Sequence, residues 1–288
     1  MRTDLCGRSI LLTGAGSGIG RSLAVRLADK GATLALVGRN EGKLVDLAMA
    51  IRAEGGSAHA FVFDLARPSG HEKLVNDVVN HLGEIDILVN NAGISGFCEF
   101  SRQGREEIGH LVETNIAGPI YLTHAILPHF IRRNSGHIVN VGSTFGSVGF
   151  GCFSVYSATK FALRGFSEAL RRELDHTAIR VTYVAPRATR TSLNSDAVMQ
   201  LNERTGAAMD EADEVAKLIA KAMEERVGDF YIGMPERILV GINGLFPRVI
   251  DAVLRKNNRI ARDLAGIPAK AWKSGNVRYY ADLQKKAK

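Results

Sequence analysis

The sequence is poor in the residues that metal sites and disulfide frameworks require. Only three of its 288 residues are cysteines, and Cys6, Cys98 and Cys152 lie far apart with no Cys-x-x-Cys pair among them. Three separated cysteines argue against a disulfide framework or a structural zinc site and are typical of a reducing compartment. The eight histidines show no His-x-x-x-His or His-Glu-x-x-His spacing, so we expect no metal site.

Long apolar runs are also missing. No stretch of about 18 apolar residues occurs, so we expect no membrane-spanning helix. No apolar segment precedes the first predicted strand, so we expect no signal peptide and place the protein in the cytoplasm. Aromatic residues make up 7% of the chain and are not interleaved with the basic ones, which argues against nucleic acid as a partner.

Positive charge and glycine are the two features that the chain has in excess. The net charge is +7, and there are 30 glycines. A positive balance suits an anionic cofactor or a membrane surface, although a basic surface kept for solubility explains it equally well. Glycine suits tight turns between strands and helices. Hydrophobic residues make up 45% of the chain, which is ordinary for a soluble protein with a sizeable core.

Short apolar runs alternate with amphipathic helical patterns along most of the chain. The predicted strands occupy residues 9–12, 33–37, 58–63, 85–89, 137–141, 179–184 and 229–233. Regular alternation of this kind predicts a Rossmann-like, doubly wound parallel sheet of about seven strands, an α/β fold with helices on both faces. Ligands of such a sheet bind at the carboxyl ends of its strands.

The first predicted strand ends in a glycine-rich turn that opens a helix. The turn reads Thr13-Gly14-Ala15-Gly16-Ser17-Gly18-Ile19-Gly20. Glycine lets the backbone approach a pyrophosphate closely, and the helix N-terminus supplies N–H groups and a positive dipole end. A glycine cluster alone is usually just a loop, but between a strand and a helix it predicts dinucleotide binding.

The end of the second predicted strand bears on the choice of cofactor. An acidic residue there would bond the 2′-hydroxyl of NAD, whereas an arginine accommodates the 2′-phosphate of NADP. Here Gly38 is not acidic and Arg39 follows it. We therefore expect NADP(H) to be preferred and NAD(H) to be possible, the alternative being a surface arginine in a turn.

Two residues at helical spacing form the best candidate for catalytic chemistry. Tyr156 and Lys160 lie four residues apart, and so on one face of a helix. An ammonium beside a phenol favours the phenolate, so we expect the pKa of Tyr156 to fall below its usual ~10 and the tyrosine to exchange a proton near neutral pH. Ser143, which ends the fifth predicted strand region, can donate a hydrogen bond to a carbonyl oxygen. Alone, the Tyr-x-x-x-Lys pair is more often a solvated helix face.

With these residues in order, the chain resembles the short-chain dehydrogenase/reductase family over roughly residues 6–233. The resemblance rests on the glycine-rich turn, Asp64, Asn90-Asn91-Ala92-Gly93, Asn115, Ser143 and Tyr156-x-x-x-Lys160. It implies hydride transfer between NADP(H) and a carbonyl or secondary alcohol, with Tyr156 as general acid or base. It also implies that Lys160 lowers the pKa of Tyr156 and bonds the nicotinamide ribose, that Ser143 polarises the substrate oxygen, and that Asn115 holds a water in a proton path.

The resemblance further implies a set of cofactor contacts. The residues are Gly14, Gly16, Ser17, Gly18, Ile19, Gly20, Arg39, Asp64, Leu65, Asn91, Ala92, Gly93, Tyr156, Lys160, Pro186, Thr189 and Thr191. Two positions depart from the family pattern. Ser17 stands where the NADP-preferring branch often has a second basic residue, and Arg187 stands where a glycine commonly follows Pro186. Arg187 either crowds the nicotinamide pocket or recruits an anionic group of the substrate.

The substrate itself has no readable code. Residues 192–209 are polar and weakly patterned, as a substrate lid would be. Apolar side chains suggest a lipophilic substrate, although core packing explains them equally well: Phe97, Phe145, Phe150, Phe153 and Leu193. A 3-oxoacyl-thioester reductase is the alternative enzyme, and a non-catalytic dinucleotide-binding regulatory or scaffold protein is the alternative of another class.

The chain continues well beyond the last predicted strand. We therefore divide it into a dehydrogenase/reductase domain at residues 1–233 and a basic, amphipathic helical extension packed on it at residues 234–288. Pro247 predicts a break between two helices, and residues 285–288 are expected to fray. The apolar stripe of the extension either packs on the parent domain or a second subunit, in a homodimer or homotetramer, or makes a peripheral membrane contact.

Overall fold

The computed structural model describes residues 4–225 and 227–266. The strands are β1 (Ser9–Thr13), β2 (Thr33–Gly38), β3 (Ser57–Val62), β4 (Ile87–Asn90), β5 (Gly136–Val141), β6 (Ile179–Ala185), β7 (Thr189–Arg190), β8 (Asp210–Glu211) and β9 (Asp229–Tyr231). The helices are α1 (Gly18–Asp29), α2 (Glu41–Ala53), α3 (His71–Leu82), α4 (Arg105–Val112), α5 (Gly118–Arg133), α6 (Ser154–Glu173), α7 (Asp196–Thr205), α8 (Ala212–Glu225), α9 (Met234–Leu245) and α10 (Pro247–Leu264).

Seven strands form one parallel sheet in the order β3-β2-β1-β4-β5-β6-β9. The order runs outward in both directions from β1 and β4, so their carboxyl ends flank the crevice where such sheets bind ligands. The predicted Rossmann-like fold, with helices on both faces and further helices at the C-terminal side, is confirmed. Strands β7 and β8 were not predicted; they form a separate two-stranded pair.

The core consists of two apolar layers, one on each face of the sheet. Alternate residues of a strand point to opposite faces, so Ile10 and Leu12 of β1 lie in one layer and Leu11 lies in the other. Helices α1, α2 and α8 cover the first layer, and α3, α5 and α6 cover the second. This packing holds the strand ends rigidly at one edge of the sheet.

Helix α4 runs into α5 through a π-helical turn at Glu113–Ala117. The backbone stays helical on both sides of the turn, because its flanking residues Val112 and Gly118 have helical dihedral angles. Single π turns insert an extra residue and are often found at functional sites. Asn115 lies in the middle of this one, and the turn sets the direction of its side chain.

The C-terminal extension forms two helices with a break before Pro247, as predicted. Helix α9 ends at Leu245, Phe246 has non-helical dihedral angles, and Pro247 begins α10. Helix α10 packs against α9 and α7. In residues 4–225 and 227–266, none of the helices combines the length and the low polarity that a bilayer crossing needs. The last part of the extension and the predicted frayed end at 285–288 lie outside the described residues.

Candidate active site

Two adjoining cavities open at the carboxyl edge of the sheet. The first has a volume of about 360 Å³ and lies over the ends of β1, β2 and β4. The second, of about 300 Å³, lies over the end of β5 and the start of α6. They are continuous, since six residues line both: Ile19, Asn91, Gly93, Ile94, Thr191 and Leu193. Every predicted site residue lines one cavity or the other except Asn115.

The glycine-rich turn forms the floor of the first cavity, and two of its glycines have no room for a side chain. Gly14 has a φ of 67°, and a Cβ there would lie 2.8 Å from the Cα of Ala92. A Cβ on Gly20 would overlap the carbonyl oxygen of Gly14. Helix α1 therefore starts tight against β1, and its N-terminus faces the cavity. Ser17 is at the N-cap position, but its side chain makes no capping hydrogen bond.

Thr13 holds the turn to the neighbouring strand end, a role that sequence reasoning missed. Its hydroxyl donates to the carbonyl of Val89 at 3.2 Å and accepts from the N–H groups of Asn91 and Ala92 at 3.0 and 3.1 Å. In return the Asn91 side chain donates to the carbonyl of Thr13 at 2.9 Å. The predicted cofactor residues after β1 and β4 are thus fixed to each other.

Two cations stand at the rim of the first cavity. Arg39 is exposed at the end of β2, as predicted, and Lys43 lines the same wall from the first turn of α2. Asn40 caps this helix by accepting from the Lys43 N–H at 3.0 Å. Sequence reasoning missed Lys43, although its spacing of four residues from Arg39, across a capped helix start, would have pointed to it.

The acidic residue of the first cavity makes one local hydrogen bond. Asp64 lines the cavity beside buried Leu65, and its carboxylate accepts from the Ala66 N–H at 3.1 Å. The second carboxylate oxygen remains available to a ligand that donates a hydrogen bond. This agrees with the contact to an adenine amino group that the resemblance implies.

Ser143, Tyr156 and Lys160 converge on the second cavity. Ser143 follows β5, and its hydroxyl oxygen accepts from the Phe145 N–H at 3.1 Å and is hydrogen-bonded to Tyr156. The ammonium nitrogen of Lys160 lies 5.8 Å from the centroid of the Tyr156 ring and donates to the carbonyl of Val141 at 3.3 Å. The strand end and the helix face therefore bring the three polar groups to one point.

The pKa of Tyr156 differs from the sequence expectation. Burial raises the pKa of its phenol, and the hydrogen bond from Ser143 offsets only part of that rise. Lys160 is 5% exposed, and burial lowers its own pKa to about 8. The expected net fall in the pKa of Tyr156 is therefore wrong for this geometry, because desolvation by burial is the largest influence on the phenol.

Asn115 acts behind the cavity wall. Its amide oxygen accepts from the Ile94 N–H at 2.8 Å, and its amide nitrogen donates to the Ile94 carbonyl at 2.9 Å and to the Thr159 hydroxyl at 3.1 Å. Both amide hydrogens are thereby used. The side chain fixes the loop after β4 to α6, one residue before Lys160. A water-holding role remains a proposal.

Arg187 is paired with two carboxylates of the chain, and the two roles expected for it stay predictions. Its guanidinium forms two hydrogen bonds with Asp210, at 2.9 and 2.7 Å, and lies 3.6 Å from Glu236 of α9. These carboxylates raise the pKa of Arg187, so the guanidinium stays positively charged and is paired with their negative charges. The side chain lines the second cavity as part of an ion-pair cluster, and it joins the end of β6 to β8 and α9.

The remaining predicted residues after β6 form a short polar wall. The Pro186 carbonyl accepts from the Thr144 N–H at 3.0 Å, and the Thr189 hydroxyl donates to the Arg187 carbonyl at 3.0 Å. Thr191 touches the glycine-rich turn, since a Cβ on Gly18 would lie 3.0 Å from its methyl group. Thr191 therefore lies where the two cavities meet.

Tyr183 is a second residue that sequence reasoning missed. It is fully buried, its hydroxyl donates to the Ser143 carbonyl at 3.2 Å, and burial raises its pKa. A Cβ on Gly142 or Gly146 would overlap its ring or hydroxyl. The tyrosine therefore supports the turn that presents Ser143. The sequence around Tyr183 gives no sign that this strand residue supports the turn at Ser143.

The far wall of the second cavity is apolar and comes from three parts of the chain. The wall residues are Phe145, Phe150 and Phe153 from the loop before α6, Val198 and Leu201 from α7, and Leu239, Val240 and Leu254 from α9 and α10. Phe97 packs on Phe153 with ring centroids 4.9 Å apart, outside the lining. The predicted lid region thus contributes a helix, and the C-terminal extension contributes part of the wall.

Comparison with known proteins agrees with this geometry. Residues 8–202 match the family model described as short chain dehydrogenase. The chain is 31% identical over 260 residues to the ketoacyl reductase HetN of Nostoc sp., covering 88% of this chain and 90% of that protein. A short-chain dehydrogenase from Sphingobium yanoikuyae in complex with NADPH superposes with a TM-score of 0.71 at 30% identity, covering 85% of this chain and 95% of the other.

A second solved structure agrees in fold. The short chain dehydrogenase/reductase from Burkholderia phymatum in complex with NAD superposes with a TM-score of 0.79, covering 86% of this chain and 96% of the other. At 22% identity the likeness bears on the fold alone. The glycine-rich turn, the strand-end residues and the family match together identify the chain as a member of the short-chain dehydrogenase family, and hence as an NAD(P)-dependent oxidoreductase.

Proposed function

We propose that the protein transfers a hydride between NADP(H) and the carbonyl or secondary alcohol carbon of a lipophilic small molecule, with Tyr156 as general acid or base. The observation that carries the proposal is the convergence of Ser143, Tyr156 and Lys160 on a cavity that is continuous with the glycine-rich cleft. A dinucleotide in that cleft would supply the hydride. The apolar wall of the second cavity supports the proposal that the substrate is lipophilic.

The site residues fit a dinucleotide. The turn at Gly14 and Gly20 brings the backbone and the α1 N-terminus to the place that a pyrophosphate needs, with no Cβ in the way. Arg39 and Lys43 supply the positive charge that a 2′-phosphate requires, which supports NADP(H) over NAD(H). The solved structures contain NADPH in one case and NAD in the other, so the preference rests on the positive charge at the cavity rim.

Tyr156, Ser143 and Lys160 can together transfer the proton that the reaction requires. A buried phenol with a raised pKa stays protonated at neutral pH, so Tyr156 is ready to give its proton to a carbonyl oxygen as the carbon gains a hydride. The Ser143 hydroxyl bonds the same oxygen. Lys160 stabilises the phenolate that remains, since its ammonium is charged below a pH of about 8. In alcohol oxidation the proton moves in the reverse direction.

A 3-oxoacyl-thioester reductase is the second candidate, favoured by the name of the ketoacyl reductase relative from Nostoc sp.. The two candidates differ in the substrate that must reach Tyr156. A thioester substrate carries a long polar carrier arm, whereas a free lipophilic ketone can be enclosed within the apolar wall. Purified protein with NADPH should therefore be assayed against lipophilic ketones and against 3-oxoacyl thioesters in parallel.

The expected result is oxidation of NADPH by lipophilic ketones with a higher kcat/KM than by the thioesters. The reverse order would favour the second candidate. Tight NADPH binding without turnover of any member of a broad carbonyl panel would contradict the proposal. The organisation proposed for the whole chain is a catalytic unit at residues 1–233 with a helical extension, in a cytoplasmic homodimer or homotetramer that makes a peripheral membrane contact.

A further inference from the structure

Helix α9 is apolar on two opposite sides. Leu239 and Val240 on its inner side line the second cavity, and Asn243 donates to the Ser147 carbonyl at 2.8 Å. Met234, Ile238 and Leu245 follow one another at spacings of four and seven residues on the outer side. Their exposed fractions are 67%, 57% and 76%. A surface helix normally turns its polar side outward, so the outer side of α9 lacks the expected polar surface.

The outer apolar surface continues into α10. Phe246 at the break is 62% exposed, and Val249 and Val253, one turn apart, are 51% and 58% exposed. We call these residues the outer face: Met234, Ile238, Leu245, Phe246, Val249 and Val253. They are six of the sixteen large hydrophobic residues that are exposed in the described part of the chain, yet they fall within 20 consecutive residues. Such clustering marks an interaction surface.

Basic side chains border the outer face on α9 and α10, where the exposed acidic residues are Asp251 and Asp263. Five exposed basic residues lie on the same two helices: Arg237, Arg248, Arg255, Lys256 and Arg259. Lys256 follows Val253 by three residues and so lies on the same side of α10. The acidic Glu236 is turned inward toward Arg187. By sequence, residues 267–288 add six basic residues and one acidic residue.

The combination of an apolar face with neighbouring basic residues indicates what binds there. An apolar face bordered by arginine and lysine is the pattern of a helix that lies in the interface of a membrane containing anionic lipid. A second copy of the chain is a poorer fit, because a two-fold contact would bring Arg237 and Arg248 of both copies to one interface, where like charges repel. A bilayer offers apolar chains and negative headgroups at the matching depths.

We propose that the outer face docks on the surface of a bilayer that contains anionic lipid. This assigns residues and a lipid class to the membrane contact in the proposed function, and it does not depend on hydride transfer. Because the inner side of α9 lines the second cavity, docking would place that cavity about one helix diameter, roughly 10 Å, from the lipid. A lipophilic compound dissolved in the bilayer would then lie next to the wall of the site.

The test is vesicle flotation of the full-length protein. Vesicles of phosphatidylcholine alone are compared with vesicles that also contain phosphatidylserine, at low and at high salt. Wild-type protein should float with the phosphatidylserine vesicles, less with the neutral ones, and less at high salt. The triple variant Ile238→Ser, Leu245→Ser, Phe246→Ser should bind at least 100-fold more weakly, since it removes three of the apolar side chains that the outer face would bury in the lipid.

Further variants separate the contribution of positive charge to vesicle binding from that of the apolar outer face. Arg237→Gln with Arg248→Gln should weaken binding to the anionic vesicles by roughly 30-fold and leave neutral binding unchanged. Met49→Ser, Val62→Ser and Phe100→Ser alter three equally exposed apolar residues outside the outer face and should float as wild type does. Arg105→Gln with Arg180→Gln is the matched charge control. Melting temperature and NADPH binding report that each variant is folded.

Three outcomes would overturn the proposal. One is wild-type protein that is folded and binds NADPH but does not float. Another is an outer-face triple variant that floats as well as wild type does. The third is a wild-type dimer in analytical ultracentrifugation that the triple variant converts to a monomer, without vesicle binding by either, which would assign the face to a second copy of the chain.

Discussion

Arg187 and Asp210 form a two-pronged ion pair in which Nε donates to Oδ2 at 2.9 Å and Nη2 donates to Oδ1 at 2.7 Å. The pair joins the end of β6 to β8. Glu236, 3.6 Å from the same guanidinium, extends the connection to α9. An arginine that departs from the family pattern therefore links the catalytic edge of the sheet to the C-terminal extension.

Asp210→Asn should destabilise the protein by about 1–2 kcal/mol, because it breaks a half-buried bidentate pair and leaves the Arg187 guanidinium with a weaker partner. The same variant should raise KM for an apolar substrate more than it lowers kcat, since α9 supplies the cavity wall. Urea denaturation and steady-state kinetics measure the two effects.

The matched control is the exposed pair of Arg190 with Glu211, at 3.2 Å and more than half exposed on both sides. Glu211→Gln should change stability by less than 1 kcal/mol. Equal effects of the two substitutions would contradict the linking role of Arg187.

Lys160 makes the stability of the fold depend on pH. Burial lowers its pKa from 10.5 to about 8, so the unfolded chain binds this proton more tightly than the folded chain does. The resulting destabilisation, of about 3 kcal/mol, is fully present below pH 8 and is relieved as pH rises from about 8 toward 10.5. Lys160→Met should therefore stabilise the protein near pH 7, and the gain should shrink at higher pH.

Urea denaturation of wild type and Lys160→Met across this pH range measures the difference. The exposed Lys217 offers the control, because Lys217→Met should leave the pH dependence of wild type unchanged. A Lys160→Met gain that is constant from pH 7 to 10 would contradict the buried-ammonium account.

The pattern of apolar runs was enough to predict the sheet, because parallel strands buried on both faces read as continuous apolar stretches. The glycine-rich turn, Ser143, Tyr156 and Lys160 could be placed for the same reason: strand ends and helix faces fix where their side chains go. What the pattern could not give is contact between distant segments. Arg187 meets Asp210 and Glu236 across 23 and 49 positions of sequence, and no local pattern records such a pairing.

Two further misses share a physical cause. The π-helical turn at Asn115 could not be read from the helical spacing of the residues around it. The raised pKa of Tyr156 depends on how deeply the phenol is buried, which spacing to Lys160 does not reveal. The proximity of a cation was readable from the sequence, but the cost of desolvation was not.

Arg39 and Lys43 should set the preference between the two dinucleotides. Arg39→Asp should weaken NADPH binding at least tenfold and shift the preference toward NADH, because a carboxylate repels a 2′-phosphate and can accept from a 2′-hydroxyl. Lys43→Ala should weaken NADPH binding roughly fivefold through loss of one charge–charge contact. Titration of each variant with both cofactors gives the ratio of dissociation constants.

The NADH titration serves as the internal control. Neither substitution should weaken NADH binding, since both residues stand at the rim, away from the glycine-rich floor. An unchanged ratio of the two dissociation constants in Arg39→Asp would contradict the assignment of NADP(H).

The single-turnover rate of NADPH oxidation in Tyr156→Phe tests the central claim most directly. The phenylalanine keeps the ring contacts with Phe145 and Phe153 and removes only the hydroxyl that is hydrogen-bonded to Ser143. With Tyr121→Phe as an exposed control, the account predicts a loss of at least 100-fold in the rate with unchanged NADPH affinity. A Tyr156→Phe variant that oxidises NADPH at the wild-type rate would contradict it.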